Sequence, residues 1–161
     1  MGLMHGLHGL RWRTVSALGL GVLVFPSCSA SSTGPGVVFL LSSARWDARG
    51  PDAYTFLYEQ VCECLPTGEV LLTVEDGDVI GAVSFLGSEP QFAPDPANFL
   101  TIDELFERLR QDAARDPVMF EVTFDEELGY PRTAVVDVSA GVADDEYRFE
   151  IREVSPLERL E

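Results

Sequence analysis

The chain has 161 residues, of which 46% are hydrophobic and 24% are charged, so we expect one globular domain with a short additional segment. The basic residues are 11 arginines with no lysine, and 27 acidic residues oppose them to give a formal net charge of −16. Such a chain lacks the basic patch that neutralises phosphates, which excludes a nucleic-acid-binding protein. The charge also argues against electrostatic docking to anionic lipid, but it leaves a covalent lipid anchor open.

The N-terminal residues predict an export signal. Arg11 and Arg13 precede an uncharged apolar run over residues 14–25 (TVSALGLGVLVF). This run has the length of a signal-peptide core and is shorter than the roughly 20 residues that span a bilayer. Pro26 follows it, and Cys28 opens a stretch of small and polar residues. The pattern looks like a bacterial lipoprotein signal, which is cut before a cysteine that carries a diacylglyceryl group.

The predicted organisation is a signal peptide over residues 1–27, a flexible tether over 28–36 and a single domain over 37–161. The expected partner is the membrane, reached through a lipid on Cys28, which places the domain outside the cytoplasm in the cell envelope. Two alternatives stay open. An ordinary cleaved signal would give a secreted soluble protein, and an uncleaved anchor would continue through residues 37–41.

Removal of the signal also removes His5 and His8, the two histidines of the chain. Without imidazole or lysine, the domain cannot carry a Ser-His-Asp triad, a Cys-His pair or a Schiff-base lysine. Carboxylates, tyrosines and two cysteines remain for catalysis. The sequence therefore favours a binding or interaction module over an enzyme, with an unknown protein or small molecule as partner, no cofactor and no identified catalytic residue.

The first half of the domain alternates with the period of strands. Residues 37–49 predict a short helix with Val38, Leu41, Arg45 and Trp46 on one side, although VVFLL also suits a strand. A period of two begins at Tyr54, and further strands are predicted over residues 69–75 and 79–86. They are joined through Asp76-Gly77, the strongest hairpin signal in the chain.

The second half predicts one main helix and three more strands. Residues 89–98 are expected to form a loop, and residues 101–104 (TIDE) form a capping box before a helix that ends ahead of Pro117. Strands are predicted over residues 118–125, 132–139 and 146–152. The buried helix face is expected to hold Ile102, Leu105, Phe106 and Leu109, with Arg108, Arg110 and Asp112 outside. The fold class is α+β: an antiparallel sheet of about six strands in the order βββαβββ, with the helix packed on one face.

Several motifs occur in a characteristic order. They are Arg45-Trp46, Tyr54, Cys62-Glu63-Cys64, residues 74–79 (VEDGDV), residues 101–106 (TIDELF), Asp125 with Gly129-Tyr130-Pro131, and residues 143–146 (ADDE). This order resembles a bacterial family of exported domains, domain of unknown function 6174, over about residues 45–154. The resemblance implies an envelope or secreted protein, commonly a lipoprotein, and it brings no catalytic residue with it.

Cys62 and Cys64 form the sharpest candidate site. Cysteines two apart on a strand point the same way with Cα atoms roughly 6.5 to 7 Å apart, at the limit for a disulfide. Three interpretations stay open: a strained disulfide, two buried reduced thiols, or a redox or soft-metal site. The third would make the protein a thiol-disulfide or metal-handling protein, although two thiolates do not fill a tetrahedral shell.

Acidic and aromatic residues supply the other candidates. The acidic residues Asp125, Asp137, Asp144, Asp145 and Glu146 could supply oxygen ligands to calcium, but acids at strand ends more often cap turns and keep a surface soluble. Asp125 in particular is expected to organise the turn before Gly129-Tyr130-Pro131. The aromatic residues Trp46, Tyr54 and Tyr58 fit either a binding groove or the core.

The lipid anchor can be tested directly. Growth with labelled fatty acid should mark the protein, and Cys28→Ala should abolish both the label and membrane retention, because the thiol is the attachment point. Membrane fractionation and autoradiography of the wild type and the variant provide the measurement. An unlabelled wild-type protein would rule out the lipoprotein interpretation.

Overall fold

The computed structural model describes residues 35–61, 68–86, 89–141 and 145–158. The chain divides into two units, residues 1–32 and 33–161, and all described residues belong to the second unit. Within these ranges, no helix is long and apolar enough to span a membrane. Cys28, Cys62, Cys64 and Asp144 lie outside the described residues.

The described residues form two α-helices, a short 3-10 turn (Pro96–Asn98) and one antiparallel sheet of seven strands in the order β4-β3-β2-β1-β7-β6-β5. The bounds are α1 Pro35–Arg49, β1 Tyr54–Val61, β2 Glu69–Glu75, β3 Asp78–Leu86, β4 Glu89–Phe92, α2 Ile102–Ala113, β5 Met119–Phe124, β6 Pro131–Asp137 and β7 Glu146–Pro156. The predicted α+β class with an antiparallel sheet is therefore confirmed.

The predicted number of six strands is wrong. The additional strand is β4, which forms inside the segment that was expected to be a loop. Pro90 has no N–H and suits an edge strand, and every residue of β4 is exposed, so neither proline content nor hydrophobic pattern predicts it. The first helix begins two residues earlier than predicted, at Pro35, where a proline is favoured in the first helical turn.

The strand order determines the path of the main helix. Strands β1 to β4 form one meander, β5 to β7 form another, and β1 pairs with β7 to join them. Since β4 and β5 lie at opposite edges, the connection between them has to cross the sheet. The core lies on the face that α2 covers, where Phe56, Leu72, Phe149 and Ile151 are almost completely buried.

Three local predictions are confirmed by the structure. The Thr101 hydroxyl accepts from the Glu104 backbone N–H at 3.2 Å, and the Thr101 N–H donates to the Glu104 carboxylate at 2.8 Å, which completes the capping box. Asp76 and Gly77 both have positive φ, 53° and 85°, as a tight hairpin requires. Along α2, the side chains of Ile102, Leu105, Phe106 and Leu109 are buried.

The predicted face of α1 is confirmed at Trp46 and wrong at Leu41. Leu41 is exposed, whereas Ser42 and Trp46 are the buried residues of the helix. Phe39 contributes to the same inner face, because its ring contacts those of Phe106 and Phe124 at centroid distances of 5.6 and 5.8 Å. These aromatic contacts decide which side of α1 faces the core, and the helix sequence alone does not reveal them.

Ser42 lies against the turn between β5 and β6. Asp125 organises this turn as expected, because its carboxylate accepts from the backbone N–H groups of Glu127 and Leu128 at 3.0 and 2.7 Å. Gly129 follows with a φ of 88°. A Cβ atom at this glycine would lie 2.3 Å from the carbonyl oxygen of Ser42, so the two backbones meet only because the side chain is absent.

Gly129→Ala should destabilise the domain by about 2 to 5 kcal/mol, because it adds left-handed backbone strain to a clash with the α1 backbone. Gly141→Ala is the matched control, since Gly141 has the same φ of 88° and nothing within 4 Å of the added atom. The control should lose only about 1 kcal/mol from backbone strain. Urea unfolding of both variants measures the difference, and equal losses would contradict the close approach of α1.

Candidate functional site

A cavity of about 450 Å³ lies where four elements meet. They are the C-terminal end of α1, the beginning of β1, the turn between β2 and β3, and the beginning of α2. Its volume is within the roughly 300 to 1,000 Å³ of small-molecule sites. The lining residues are Trp46, Asp47, Gly50, Pro51, Asp52, Tyr54, Val74, Asp76, Gly77 and Asp103.

Trp46 forms the inner wall of this cavity. Its side chain is only 3% exposed, and its ring meets those of Tyr54 and Tyr130 edge-on at 5.3 and 6.3 Å. The Gly50 N–H donates to the Trp46 carbonyl at 2.7 Å, and a Cβ atom at Gly50 would lie 2.9 Å from the indole. The missing side chain at Gly50 therefore lets the chain turn tightly around the tryptophan into β1.

Two hydrogen bonds attach the start of α2 to this wall. The indole Nε1–H of Trp46 donates to Asp103 Oδ1 at 3.1 Å, and the Ile102 N–H donates to the Tyr54 hydroxyl oxygen at 3.2 Å. Burial raises the pKa of Tyr54 far above its ordinary value, so this phenol stays neutral at physiological pH. The bonds hold one carboxylate and one phenol in fixed positions at the cavity floor.

Four aspartates line the cavity, and none of its lining residues is basic. In the described part of the chain, no hydrogen bond or ion pair engages the side chains of Asp47, Asp52 and Asp76. The nearest arginines in the sequence turn elsewhere: the guanidinium groups of Arg45 and Arg49 donate to the Glu126 and Glu127 carbonyls at 2.8 and 3.3 Å. The cavity consequently has a negative potential that attracts cations.

The calcium candidates are distributed over both ends of the second meander. Asp125 lies in the turn before β6, whereas Asp137 ends β6 and pairs in register with Glu146. Oδ1 of Asp145 is buried and has no hydrogen-bond partner among the described residues. Within those residues, no three acidic, cysteine or histidine side chains form a group able to hold a metal ion. Asp125 is thus separated from Asp137 and Glu146 by the length of β6.

Asp112 is a further acidic residue whose predicted position is wrong. It was expected on the outside of α2, but it is buried and accepts from the Tyr147 hydroxyl on β7 at 2.8 Å. Burial raises the pKa of Tyr147 well above its usual range, and the bond to Asp112 adds to this effect. The guanidinium of Arg108 lies 3.7 Å from the centre of the Tyr147 ring and adds a cation-π contact. The contacts of Asp112 and Arg108 with Tyr147 attach the C-terminal half of α2 to the sheet.

The aromatic residues belong to the core. Trp46, Tyr54 and Tyr58 are core residues, with exposures of 3%, 2% and 5%, and the first two also line the cavity. The sequence does not predict the four aspartates as a site, because the pattern around Asp76 indicates a hairpin turn and that around Asp103 a capping box. The available signal was weak: aspartates recur at the ends of elements, and only the tertiary fold brings those ends together.

A protein-family model matches residues 39–156. The chain belongs to the family of unknown function DUF6174. The match covers the whole sheet and both helices apart from the first turn of α1, so the cavity lies entirely within the family domain. No curated protein and no solved structure matches the chain.

Asp103→Ala should destabilise the domain by about 1 to 3 kcal/mol, because the buried indole N–H loses its acceptor and the first turn of α2 loses a negative charge. Asp103→Asn keeps an oxygen at the acceptor position and should lose less. Urea unfolding followed by circular dichroism gives both values. If the two variants lose the same stability, the indole bond contributes nothing to the fold.

Proposed function

We propose that the protein is an exported, lipid-anchored binding module of the bacterial envelope, and that its cavity holds a positively charged organic ligand. One observation carries the ligand class: four aspartates and no basic residue line a cavity of about 450 Å³. The export signal and the anchor rest on the arginine pair, the uncharged apolar run and Cys28 at the start of the chain. The lipid fixes the module to the membrane, while the cavity provides its specificity.

The ligand should present an ammonium or guanidinium group. These groups donate several hydrogen bonds, and the cavity offers carboxylate oxygens that are free to accept them. The almost completely buried rings of Trp46 and Tyr54 limit the depth of the cavity, and the partly exposed Pro51 offers an apolar contact to the carbon chain of such a ligand. Polyamines and the side chains of basic peptides combine both properties.

The carboxylates of the cavity are accessible to solvent, and this access limits how strongly each of them binds a cationic group. Exposed ion pairs contribute only about 0.2 to 1 kcal/mol each, so one cationic group alone would bind weakly. A ligand with two or three charges contacts several aspartates at once and gains from each of them. Binding should therefore favour polycations and weaken as salt screens the charges. We regard a polyamine as the simplest probe of this site.

Spermidine should bind the mature protein saturably, and the double substitution Asp47→Asn with Asp76→Asn should weaken this binding by about 2- to 30-fold through the loss of two ion pairs. Trp46 is the single tryptophan from Cys28 onward, so its fluorescence reports the cavity directly. Fluorescence titrations at low and high salt measure the affinity and its screening.

Asp116→Asn is the control for a lost negative charge, because Asp116 lies beyond the opposite end of α2 and its positive φ of 55° is tolerated by asparagine. The affinity of the Asp116→Asn variant for spermidine should remain within about twofold of that of the wild type, a difference of roughly 0.4 kcal/mol. The proposal would be wrong if the wild type showed no saturable binding, or if the control weakened binding as much as the cavity variant.

A further inference from the structure

The outer face of α1 exposes a row of large apolar side chains. Val37, Leu40 and Leu41 are 45%, 65% and 57% exposed, and we call these three residues the apolar face of α1. The opposite side of the helix packs on the core through Phe39, Ser42 and Trp46. The apolar face is therefore outside the core packing of the domain and remains open to another surface.

The charge pattern around this face differs from that of the rest of the chain. The first ten residues of α1, 35–44 (PGVVFLLSSA), contain no charged side chain, although 24% of the residues are charged in the whole sequence. A net charge of −16 would repel an anionic surface, but the carboxylates are absent from this segment. A helix with one exposed apolar side and no local charge is suited to the interface of a lipid bilayer.

The position of α1 in the chain identifies the bilayer as the occupant. Six residues, 29–34, separate Cys28 from the start of the helix. A fully extended residue spans at most about 3.6 Å, so the seven steps from Cys28 to Pro35 reach roughly 25 Å. A lipid on Cys28 would thus keep the first turns of α1 close to the membrane surface. This step rests on the anchored state that we propose above.

We infer that the apolar face of α1 rests on the lipid bilayer beside the anchor and sets the orientation of the domain. Three partly exposed side chains are too few to hold a free protein on a membrane. The tether, however, raises their effective concentration at the surface, so that a weak contact becomes populated. A separate apolar groove lies between α1 and β5 and is lined by Pro35, Val38, Phe39 and Phe120.

This orientation has a consequence for the cavity. Trp46 and Asp47 lie near the C-terminal end of α1, and a helix of 15 residues is about 22 Å long. Because the apolar face is confined to the first turns, α1 would have to tilt with its N-terminal end on the membrane, which leaves Asp47 at the other end on the aqueous side, where a soluble cation can reach it. The contact would also keep four carboxylates away from anionic lipid headgroups, which agrees with the electrostatic repulsion expected there.

The test uses a tryptophan probe in the full lipidated protein, reconstituted into phosphatidylcholine vesicles with or without brominated acyl chains. Bromine quenches tryptophan only at short range, so it reports contact with the hydrocarbon. Leu41→Trp should lose at least half of the fluorescence of its added tryptophan in brominated vesicles. Wild-type protein reports the background from its single tryptophan after cleavage before Cys28, the buried Trp46.

Phe92→Trp is the matched control. Phe92 is 55% exposed, close to the 57% of Leu41, and it lies on β4 at the opposite sheet edge from β5. Its added tryptophan should keep its fluorescence in brominated vesicles. Equal quenching at both positions, or quenching at neither, would overturn the inference. Protection of the Leu41→Trp probe without bromine quenching, together with dimers in cross-linking, would assign the apolar face to a second copy and overturn it as well.

Mass spectrometry of the same vesicles distinguishes the inference from the proposal on which it rests. If Cys28 carries lipid and the probe at position 41 is unquenched, the anchor is supported and the docking is wrong. If Cys28 carries no lipid in the exported protein, the anchored state itself fails and the docking fails with it. Spermidine binding in the cavity is measured independently and does not depend on either result.

Discussion

The cavity and the joint between the two helices both depend on the burial of Trp46. Its ring is held between Tyr54 and Tyr130, and its single N–H must find an acceptor because an unpaired buried donor would destabilise the fold by about 1 to 3 kcal/mol. Asp103 supplies that acceptor from the first turn of α2. The hydrogen bond of this indole thus attaches the end of α1 to the start of α2. It also fixes the position of Trp46, the residue next to which the aspartates line the cavity.

The second helix is secured at both ends by the same chemistry. At its start, the Ile102 N–H bonds to the phenol of Tyr54, and near its end Asp112 accepts from the phenol of Tyr147. Both tyrosines belong to central strands of the sheet, β1 and β7, which also carry the largest buried side chains. The connection from β4 to β5, which contains α2, is therefore attached to the sheet near both ends of the helix. These hydrogen bonds hold the start of α2, which lines the cavity, in a fixed position relative to the sheet.

Local sequence patterns predict most of the helices and strands, but they do not predict which residues line the cavity. The capping box at Thr101 and the turn at Asp76-Gly77 depend on neighbours within a few residues, so their patterns predict them directly. The inner face of α1 depends instead on Phe106 and Phe124, which are far away in the chain. The position of Asp112 likewise depends on a tyrosine 35 residues later. The cavity collects aspartates from four separate elements, and no local pattern contains that information.

The two ends of α1 differ in a way that follows from its sequence and bears on the proposed orientation. Its first ten residues are uncharged, while its last turn leads to Asp47, Gly50 and Asp52 at the cavity. The carbonyl end of a helix carries a partial negative charge, so α1 adds to the potential of the aspartates around its C-terminus. The N-terminal end of α2 carries the opposite partial charge and offsets part of that potential at Asp103, which accepts the indole bond. The aspartates of the α1 end and of the β2–β3 turn therefore keep the least compensated charge, and a cationic ligand should engage them first.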